Sequence, residues 1–504
     1  MSLMGVDVGT SGVKAVTFSA DGDKLAAAYE EYPLLRPQPG WAELDSEDVW
    51  SKTKRVIRSC AAATSEAVQA ISFSSMGEAV VPVTAKRRIL GPSIVPNFDK
   101  RGQEYLPKLG VEMDQARLYE INGNIFGNNY SLTALKWVKE QQPELYRATD
   151  YFLLWGACIP FMLGGEPHTD YSLANRTLLF DLEREDWSDE LLAWAGLERG
   201  KLPPTVPPGT PVGGIATHIA AELGLQPGIP LFAGAHDQAV NELGCGVIDT
   251  GLATYGMGTF FVIGLAWQSR PEPQPLFELG LNTEHHAMAD RYIAYLYNLG
   301  GALIRWYRDT FATYEHQAAL ESGRDVYPDL FAEMPAEPSS VLALPHFAPT
   351  GPPEFITDSR GVLMGLQLET GRGDILKGIV EGVSYYLKEA AEALPALGIS
   401  TSEYRATGGG AKSDTWLQLL ADIMGKPVGR PAETEATALG AAMLAGIGHG
   451  WLASGIEGVE RMVRIERTFE PSMRRHRLYQ ARYEKYKELW PLLKDYLHEL
   501  SKDP

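Results

Sequence analysis

The order of apolar and polar residues at the start of the chain predicts three strands joined by two tight turns. Residues 3–8 and 13–19 are apolar runs on either side of a turn at 9–12, and an Asp-Gly dipeptide at 21–22 leads into a β-rich segment at 25–31. Strands this close in sequence leave no room for a crossover helix. The chain therefore begins as a mixed sheet with a hairpin edge.

Helical spacing of apolar residues follows in later segments. Asp45 can cap a helix that ends near Thr64, and Ser413 can cap a helix whose apolar stripe begins at Trp416. The remaining helices are predicted at 131–141, 188–195, 217–223, 301–311, 375–390 and 436–445, and the remaining strands at 70–73, 80–83, 260–265 and 292–297.

Two segments depart from these patterns. Residues 313–353 are rich in proline and polar residues, which predicts surface excursions and loops. The last segment predicts one long helix that is interrupted at Pro491. It carries a stripe that is typical of a docking face and consists of Tyr479, Tyr483, Tyr486, Trp490, Leu493 and Leu497.

Length and charge narrow the class of protein. A chain of 504 residues predicts two domains of roughly 200–250 residues each. With 45 basic and 64 acidic residues, the formal net charge is −19. This balance argues against sequence-independent nucleic-acid binding, which needs clustered Lys and Arg, and favours small-molecule partners.

Cysteine use and the apolar runs predict a cytoplasmic protein without a membrane segment. Cys60, Cys158 and Cys245 lie far apart and in no metal-binding spacing, as expected for buried thiols in a reducing compartment. The most apolar run, 151–165, is interrupted by Pro160 and is shorter than the roughly 20 residues of a spanning helix, so it is predicted to be core. The N-terminal sequence predicts no signal peptide.

The stretch 230–259 contains the residues on which the functional prediction depends. Its first half is predicted as a buried strand that ends in Gly234-Ala-His-Asp-Gln238. Asp237 is the candidate general base, because phosphate transfer to an alcohol needs a carboxylate within hydrogen-bonding reach of the hydroxyl. An aspartate is ionised at pH 7 from its reference pKa of about 3.9, so no large shift is required. His236 is predicted to have a structural hydrogen-bonding role.

Two glycine-containing turns are candidates for binding phosphate. Gly9, Thr10 and Ser11 follow the first strand, and Gly258 and Thr259 follow the strand in the second half of the stretch 230–259. Backbone N–H groups in such turns can surround phosphate oxygens, although two ordinary β-turns remain the alternative. The first turn is not a Walker A loop, because no Gly-Lys-Ser/Thr follows at the required spacing.

Charged residues flank the first turn. Asp7 can hold Mg²⁺, since hard cations take oxygen ligands, and Asp237 is the second candidate metal ligand. Lys14 is a candidate phosphate contact, with a solvated side chain as the alternative.

The other candidate contacts lie farther along the chain. A glycine triplet that contains Gly409 and Gly410 joins a strand to the helix capped by Ser413, so a flat ring could lie against bare backbone there; a strained turn is the alternative. The candidate hydroxyl-binding groups, each of which could instead be a surface polar residue, are Glu78, Asp99, Arg101 and Gln238.

In order along the chain, these segments resemble the FGGY carbohydrate kinase family, within the group that shares the actin, Hsp70 and hexokinase type of ATPase fold. The resemblance extends over residues 3 to about 447 and is closest to its xylulokinase-like branch. The matching segments are Gly5-Val-Asp-Val-Gly-Thr-Ser-Gly-Val-Lys-Ala-Val16, Gly40-Trp-Ala-Glu43, Asp170-Tyr-Ser-Leu-Ala174, Gly234-Ala-His-Asp-Gln238, Gly256-Met-Gly-Thr259, Thr407-Gly-Gly-Gly-Ala-Lys-Ser413, Leu420-Ala-Asp422 and Gly425-Lys-Pro427.

The resemblance implies an α/β protein of two RNase H-like domains, with mixed sheets flanked by helices and the active site in the cleft between them. Residues 1–246 would bind the sugar and supply the base, and residues 247–504 would bind the nucleotide. ATP and Mg²⁺ are implied as the phosphate donor system, with a sugar or polyol as acceptor. Asp237 would be the catalytic base, and the two turns and the glycine triplet would bind the phosphates and adenosine. A homodimer is also compatible with it.

Two departures from the family pattern concern the acceptor. D-xylulose kinases of the family usually have Gln-Met-His after the strand, where this chain has Ser75-Met-Gly-Glu78, and a tryptophan where it has Asn97. A carboxylate at the sugar site disfavours an acid such as gluconate unless a cation compensates. The prediction is ATP-dependent phosphorylation of a ketose or polyol. The alternatives are a kinase for glycerol, L-fuculose or gluconate, a sugar-independent actin-like ATPase or sensor, and a sugar-binding protein that has lost catalysis.

Overall fold

The computed structural model describes residues 2–502, which form two large sheets, several short ribbons and many helices. In chain order the strands are β1 (Ser2–Val8), β2 (Gly12–Ser19), β3 (Lys24–Glu31), β4 (Glu43–Leu44), β5 (Val68–Ser75), β6 (Val80–Val83), β7 (Ser93–Ile94), β8 (Tyr151–Leu154), β9 (Thr169–Asp170), β10 (Phe180–Asp181), β11 (Asp186–Trp187), β12 (Thr205–Val206), β13 (Pro211–Gly214), β14 (Pro230–His236), β15 (Gly251–Met257), β16 (Phe260–Trp267), β17 (Glu284–His285), β18 (Tyr292–Leu299), β19 (Leu342–Leu344), β20 (Val362–Met364), β21 (Thr401–Thr407), β22 (Val428–Pro431) and β23 (Ile465–Phe469).

The α-helices connect and cover these strands. They are α1 (Ser46–Ala63), α2 (Leu106–Glu112), α3 (Gln115–Asn122), α4 (Ser131–Gln141), α5 (Pro143–Ala148), α6 (Trp155–Leu163), α7 (Tyr171–Asn175), α8 (Asp189–Ala195), α9 (Thr217–Leu223), α10 (Asp237–Gly244), α11 (Pro273–Glu278), α12 (Gly301–Phe311), α13 (Thr313–Glu321), α14 (Tyr327–Ala332), α15 (Arg372–Glu392), α16 (Asp414–Met424), α17 (Ala436–His449), α18 (Gly455–Met462), α19 (Met473–Lys487) and α20 (Leu489–Ser501). Short 3-10 helices lie at Pro96–Phe98, Gln103–Tyr105, Arg199–Lys201, Leu394–Leu397 and Gly409–Lys412.

The two large sheets repeat one strand order. The first is six-stranded in the order β13-β14-β5-β1-β2-β3, and the second is seven-stranded in the order β17-β18-β16-β15-β21-β22-β23. In the first sheet β1, β2 and β3 are antiparallel neighbours, and β5 and β14 run parallel to β1. In the second sheet β15, β16 and β18 are antiparallel neighbours, and β21 and β22 run parallel to β15. This arrangement confirms the predicted mixed sheets, the opening hairpins and the α/β class.

The two faces of the first sheet are covered by helices from distant parts of the chain. Residues of α1, α6 and α9 pack with it in one apolar cluster, and residues of α10 and α17 pack on the opposite face. The backbones of β1, α10 and α17 approach closely at Gly5, Gly244 and Gly440, where a methyl group would collide with carbonyl oxygens of the neighbouring element. A helix from near the end of the chain is therefore part of the first half of the fold.

A helical layer stands beside the first sheet and forms its own apolar cluster. It is built from residues between Val80 and Leu202 and includes parts of α2, α3, α4, α7 and α8. The second sheet packs with α12, α15, α16 and α19 around a separate core. That core contains Tyr479, Tyr483, Tyr486 and Leu497, so the C-terminal stripe is a docking face, as predicted.

Most predicted helices and strands are confirmed to within a few residues. Asp45 caps α1 by accepting hydrogen bonds from the N–H groups of Glu47 and Asp48, and Ser413 caps α16. The three cysteines are buried and free. The apolar run 151–165 forms β8 and α6 in the core, and among residues 2–502 no helix is long and apolar enough to span a membrane.

Two predictions about regular structure were wrong. Residues 313–353 contain α13, α14 and β19 rather than loops alone. Pro328 lies in the first turn of α14, where its missing N–H costs nothing, while α13 buries only Ala319 and so has no apolar stripe to detect. The C-terminal segment is two helices that meet at Glu488, because Pro491 in the first turn of α20 cannot donate to the carbonyl four residues earlier.

The close contact between α10 and α17 generates a stability prediction. Gly440→Ala should lower the free energy of unfolding by about 1–3 kcal/mol, because the added methyl group would collide with the carbonyl oxygen of Val240. Gly200→Ala is the control, since a methyl group there meets no described atom within 4 Å. Thermal and urea unfolding monitored by circular dichroism would measure both. Equal stability of the two variants would contradict the described packing.

Candidate functional site

Three parallel strands of the first sheet end at the same edge. Val8, the last residue of β1, is paired with Ser75 at the end of β5, and His236 at the end of β14 is paired with the same serine. The turn after β1, the loop after β5 and the start of α10 therefore project from one edge. This alignment brings the first phosphate turn, Glu78 and Asp237 together, as parallel sheets commonly do at ligand sites.

Asp237 is the first residue of α10 and not the last part of a strand, and its side chain is 29% exposed. Burial raises the pKa of its carboxyl to about 8, and the negative charges of Asp7 and Glu78 act in the same direction. Without ligands this group is therefore mostly protonated at pH 7. The sequence predicted an ordinary aspartate pKa for Asp237. In the structure the pKa is raised, so this carboxyl binds a proton more tightly than predicted.

His236 and the segment 170–174 support the position of Asp237. The Nε2 atom of His236 lies 3.1 Å from Oδ1 of Asp237. The N–H of His236 donates to Oγ of Ser172 at 2.8 Å, and this hydroxyl donates to Oδ1 of Asp170 at 2.5 Å. Burial, together with the positive charge of Arg176, lowers the pKa of His236 well below its usual value. The imidazole is therefore neutral, and its predicted hydrogen-bonding role stays a prediction.

Asp7 has the properties expected of a carboxylate that binds a cation. Its Oδ1 atom is buried and has no hydrogen-bond partner among residues 2–502, and burial raises its pKa while the charge of Lys14 opposes that rise. Across the same residues, no group of three or more His, Cys, Asp or Glu side chains is arranged to hold a metal ion. Mg²⁺ commonly takes one or two carboxylates and completes its shell with water and phosphate oxygens, so Asp7 and Asp237 fit this ion.

The first turn is held by an aromatic hydroxyl. Tyr32 donates from its phenol to the carbonyl oxygens of Gly9, at 2.5 Å, and of Gly12, at 3.0 Å. Thr10 and Ser11 are thereby left at the tip of the turn, half-buried and exposed respectively. The turn is thus a real hairpin connection, and its position at the shared edge also makes it available to a phosphate group.

Lys14 does not have a free side chain. Its Nζ atom lies 2.5 Å from Oε2 of Glu435, the residue that precedes α17, and both side chains are about one-third exposed or less. The charges of Lys14 and Glu435 both act on Asp7. An anionic ligand at the first turn would therefore compete with Glu435 for this lysine.

The second turn and the glycine triplet lie against each other. Gly256 of β15 pairs with Thr407 at the end of β21, so the loops after these strands leave the same edge of the second sheet. Gly258 and Thr259 are exposed between β15 and β16, and a Cβ on Gly408 would come within 3.0–3.3 Å of the backbone at residues 257–258. This arrangement places the predicted second phosphate turn beside the predicted adenosine site.

Helix termini line the same region. The N–H groups at the start of α12 donate to the carbonyls of Gly258 and Thr259, at 3.1 Å from Gly301 to Gly258 and from Gly300 to Thr259. Gly409 and Gly410 begin a 3-10 helix that runs into α16. The hydroxyl of Ser413 accepts from the N–H of Trp416 at 3.3 Å as the N-cap, so the residue has a structural task, and its contact with a nucleotide stays a prediction.

Glu78 is buried and strained, with a φ of 31° in a region that non-glycine residues rarely adopt. The hydroxyl of Ser131 donates to its carbonyl oxygen at 2.6 Å. Its Oε2 accepts from Nδ2 of Asn97 at 3.0 Å, and its Oε1 accepts from Nε of Arg176 at 2.6 Å. The two positions at which the chain departs from the family pattern, 78 and 97, are therefore in direct contact.

Asp99 and Arg101 form a buried ion pair with each other. The guanidinium of Arg101 binds both carboxylate oxygens of Asp99, at 2.6–3.1 Å, and lies 4.0 Å from the ring centroid of Trp41. Asp99 also accepts from the N–H of Ala42 at 2.5 Å. Gln238 is half-buried beside Asp237 in the first turn of α10. Contacts between these residues and an acceptor stay predictions.

Sequence reasoning missed Arg176, Glu284, Glu435 and Tyr32. Arg176 lies two residues beyond the motif at 170–174, so the motif gave a usable signal. Glu284 contacts Arg176 across 108 positions, and Glu435 contacts Lys14 across 421 positions. No local pattern marks residues whose role depends on partners so distant in the chain.

Comparisons with known proteins agree with this geometry. Residues 2–244 match the N-terminal domain, and residues 252–449 the C-terminal domain, of the FGGY family of carbohydrate kinases. The chain is 29% identical to a xylulose kinase of Bacillus subtilis over 98% of this chain and 97% of the relative. It is 30% identical to a glycerol kinase of Paracidovorax citrulli over 94% and 95% of the two chains. The crystal structure of xylulose kinase from Rhodospirillum rubrum, 25% identical, superposes with a TM-score of 0.87 over 99% of this chain and 100% of that one.

The contact between Lys14 and Glu435 leads to a binding prediction. Glu435→Gln should lower the dissociation constant for ADP about two- to fivefold, because it removes a competitor for the lysine whose partly exposed ion pair is worth roughly 0.2–1 kcal/mol. Lys14→Met should raise the same constant. Isothermal titration calorimetry would measure both. Weaker binding by Glu435→Gln would instead mean that Glu435 helps to hold the ligand.

Proposed function

We propose, from the premise that this chain belongs to the FGGY family of carbohydrate kinases, that it transfers the γ-phosphate of ATP to a hydroxyl of a neutral ketose or polyol. The chain is an ATP-dependent carbohydrate kinase with two domains of the actin-like ATPase fold. The observation that carries the proposal is the position of Asp237, at the edge shared by the phosphate turn after β1 and the loop that contains Glu78.

The chemistry at the acceptor follows from Asp237. Its carboxylate is placed to accept the proton of the acceptor hydroxyl as the oxygen attacks phosphorus. His236, at 3.1 Å from Oδ1, fixes the orientation of the carboxylate. Glu78 is the second acceptor of hydrogen bonds, and a hydroxyl that donates to it would leave another hydroxyl for the base. Gln238 adds an amide on the same side.

The donor is held by residues from both halves. In the two turns the N–H groups of Gly9 and Gly258 already donate to the carbonyls of Gly12 and Phe260. The N–H groups of Thr10, Ser11 and Thr259 are therefore the ones proposed to contact phosphate oxygens. Gly409 and Gly410 lie beside the second turn, where the absence of side chains leaves room for a flat ring. A Mg²⁺ ion held by Asp7 and Asp237 would supply charge neutralisation for the phosphates. Holding the donor between two halves also excludes water, which would otherwise be the acceptor.

The relatives, Glu78 and the cysteines support further proposals about the acceptor and the cellular location. Similarity to xylulose kinases supports a ketose such as a pentulose, and similarity to glycerol kinases supports a shorter polyol. The buried carboxylate of Glu78 argues against an aldonate. Three free, buried cysteines support a cytoplasmic location. A homodimer and the domain boundary at residues 246–247 stay predictions.

Removal of the base tests the proposed function. Asp237→Asn should fold and, in the absence of Mg²⁺, bind ADP like the parent, but lose roughly 10²- to 10⁴-fold in rate, because the amide cannot accept the proton. Asp495→Asn, an exposed change on α20, is the matched control. A coupled assay of ADP release with ketopentoses, ketohexoses, glycerol, larger polyols and aldonates measures the rate and identifies the acceptor. Near-normal turnover by Asp237→Asn, or ADP release that does not depend on any acceptor, would end the assignment.

The proton affinity of Asp237 predicts a pH dependence. Only the ionised carboxylate can act as base, so kcat/KM should be constant above the pKa of about 8 and fall by up to tenfold per pH unit below it. This fall in kcat/KM should be visible at subsaturating substrate concentrations, where the rate reports the protonation of the free enzyme. The residual rate of Asp237→Asn should lack it. A parent enzyme whose kcat/KM is flat from pH 9 to pH 6.5 would show that this group does not control the reaction.

A further inference from the structure

A buried guanidinium lies between two carboxylates from different halves of the chain. Arg176 donates from Nε to Oε1 of Glu78 at 2.6 Å, with Nη2 in contact with the same oxygen, and from Nη1 to Oε1 of Glu284 at 2.5 Å. The side chains of Arg176, Glu78 and Glu284 are 11%, 4% and 0% exposed. We refer to these three residues as the arginine triad.

With both carboxyl groups ionised, the triad carries one positive and two negative charges. Burial raises the pKa of the Glu78 carboxyl, and the charge of Arg176 opposes that rise. Burial opposes the charge on Arg176, but the carboxylates of Glu284 and Glu78 raise the pKa of the guanidinium above its usual value. Its planar face lies over the ring of Tyr130, with Cζ 4.8 Å from the centroid. The cation is therefore fully engaged, and the triad as a whole is negative.

The triad interacts with the proposed base Asp237 in two ways, through the charges of Glu78 and Arg176 and through His236. The charges of Glu78 and Arg176 act on Asp237 directly. The buried Oε2 atom of Glu284 has no hydrogen-bond partner within residues 2–502 and lies 4.0 Å from Nδ1 of His236, which in turn contacts Asp237. An acceptor whose hydroxyl reaches Asp237 must therefore bind next to this group of charges.

We propose that the arginine triad determines acceptor selectivity: by occupying Arg176 with two carboxylates, it makes the site accept neutral polyhydroxy compounds and reject sugar acids. The proposal rests on the proposed kinase function. A substrate carboxylate would have to displace Glu78 or Glu284 from the guanidinium or lie beside unneutralised negative charge. Both arrangements are costly in a buried site. Glu284 is the residue that tests this best, since it adds charge without reaching the acceptor.

Glu284 contributes charge to the site from behind the guanidinium of Arg176. It lies on β17 behind Arg176, fully buried, and its described contacts are with Arg176 and His236. Neutralising it leaves Glu78 in place to accept hydroxyl hydrogen bonds. The effect on an acid should therefore exceed the effect on an uncharged acceptor of the same length.

The experiment compares two inhibitors that differ in one terminal group. D-Gluconate and D-glucitol are tested as competitors of whichever neutral acceptor the parent phosphorylates, at constant ionic strength. Parent enzyme should bind gluconate at least tenfold more weakly than glucitol. Glu284→Gln should lower the ratio of the two inhibition constants about tenfold, with the dissociation constant for ADP unchanged. Glu381→Gln, a fully buried glutamate on α15 that accepts from Ser339, is the matched control and should leave the ratio as in the parent.

The outcomes separate this proposal from the proposed function. If the parent phosphorylates no neutral acceptor, the proposed function fails. If it does so but gluconate binds as well as glucitol, or if Glu284→Gln changes both inhibition constants in parallel, the triad is only structural and the proposal is overturned. Should Glu284→Gln fail to fold, Glu78→Gln removes the other carboxylate of the triad. Both inhibition constants then change, because Glu78 also accepts hydroxyl hydrogen bonds, but their ratio must still fall. An unchanged ratio in that variant would also overturn the proposal.

Discussion

The register of three parallel strands is the constraint on which the site depends. β1, β5 and β14 are hydrogen-bonded so that their last residues are level, and the residues that follow them are therefore neighbours although they are up to 230 positions apart. A shift of one residue in any of these pairings would turn every side chain to the opposite face. The second sheet repeats the arrangement for β15 and β21, which aligns its own turn with the glycine triplet.

Charge at the site is balanced only in part by the protein itself. The charges of Asp7 and Glu78 both act on Asp237, while Arg176 is already paired with Glu78 and Glu284 and Lys14 with Glu435. Burial is the main cause of the high proton affinity of Asp237, and the negative charges of Asp7 and Glu78 add to it. The proposals of a divalent cation bound with the nucleotide and of an uncharged acceptor both rest on this negative charge.

The sequence allowed much of this fold to be predicted, because its strongest signals are local. The opening hairpins depend on turns only a few residues long, and the caps at Asp45 and Ser413 bond to residues within the next turn of helix. The motif residues at strand ends were also found, since parallel strands bring their ends together. What could not be predicted depends on distant partners: the raised pKa of Asp237, and the pairing of Glu284 with Arg176.

The position of α17 has a consequence for how the chain folds as it is synthesised. One apolar face of the first sheet, which includes Phe18, Ala70 and Phe232, is covered by residues 436–449 together with α10. That face remains open until most of the polypeptide has left the ribosome. The N-terminal half therefore cannot mature independently ahead of the C-terminal half. During translation it presents an adhesive surface of the kind that chaperones bind, so an interruption of synthesis before α17 would leave an aggregation-prone fragment.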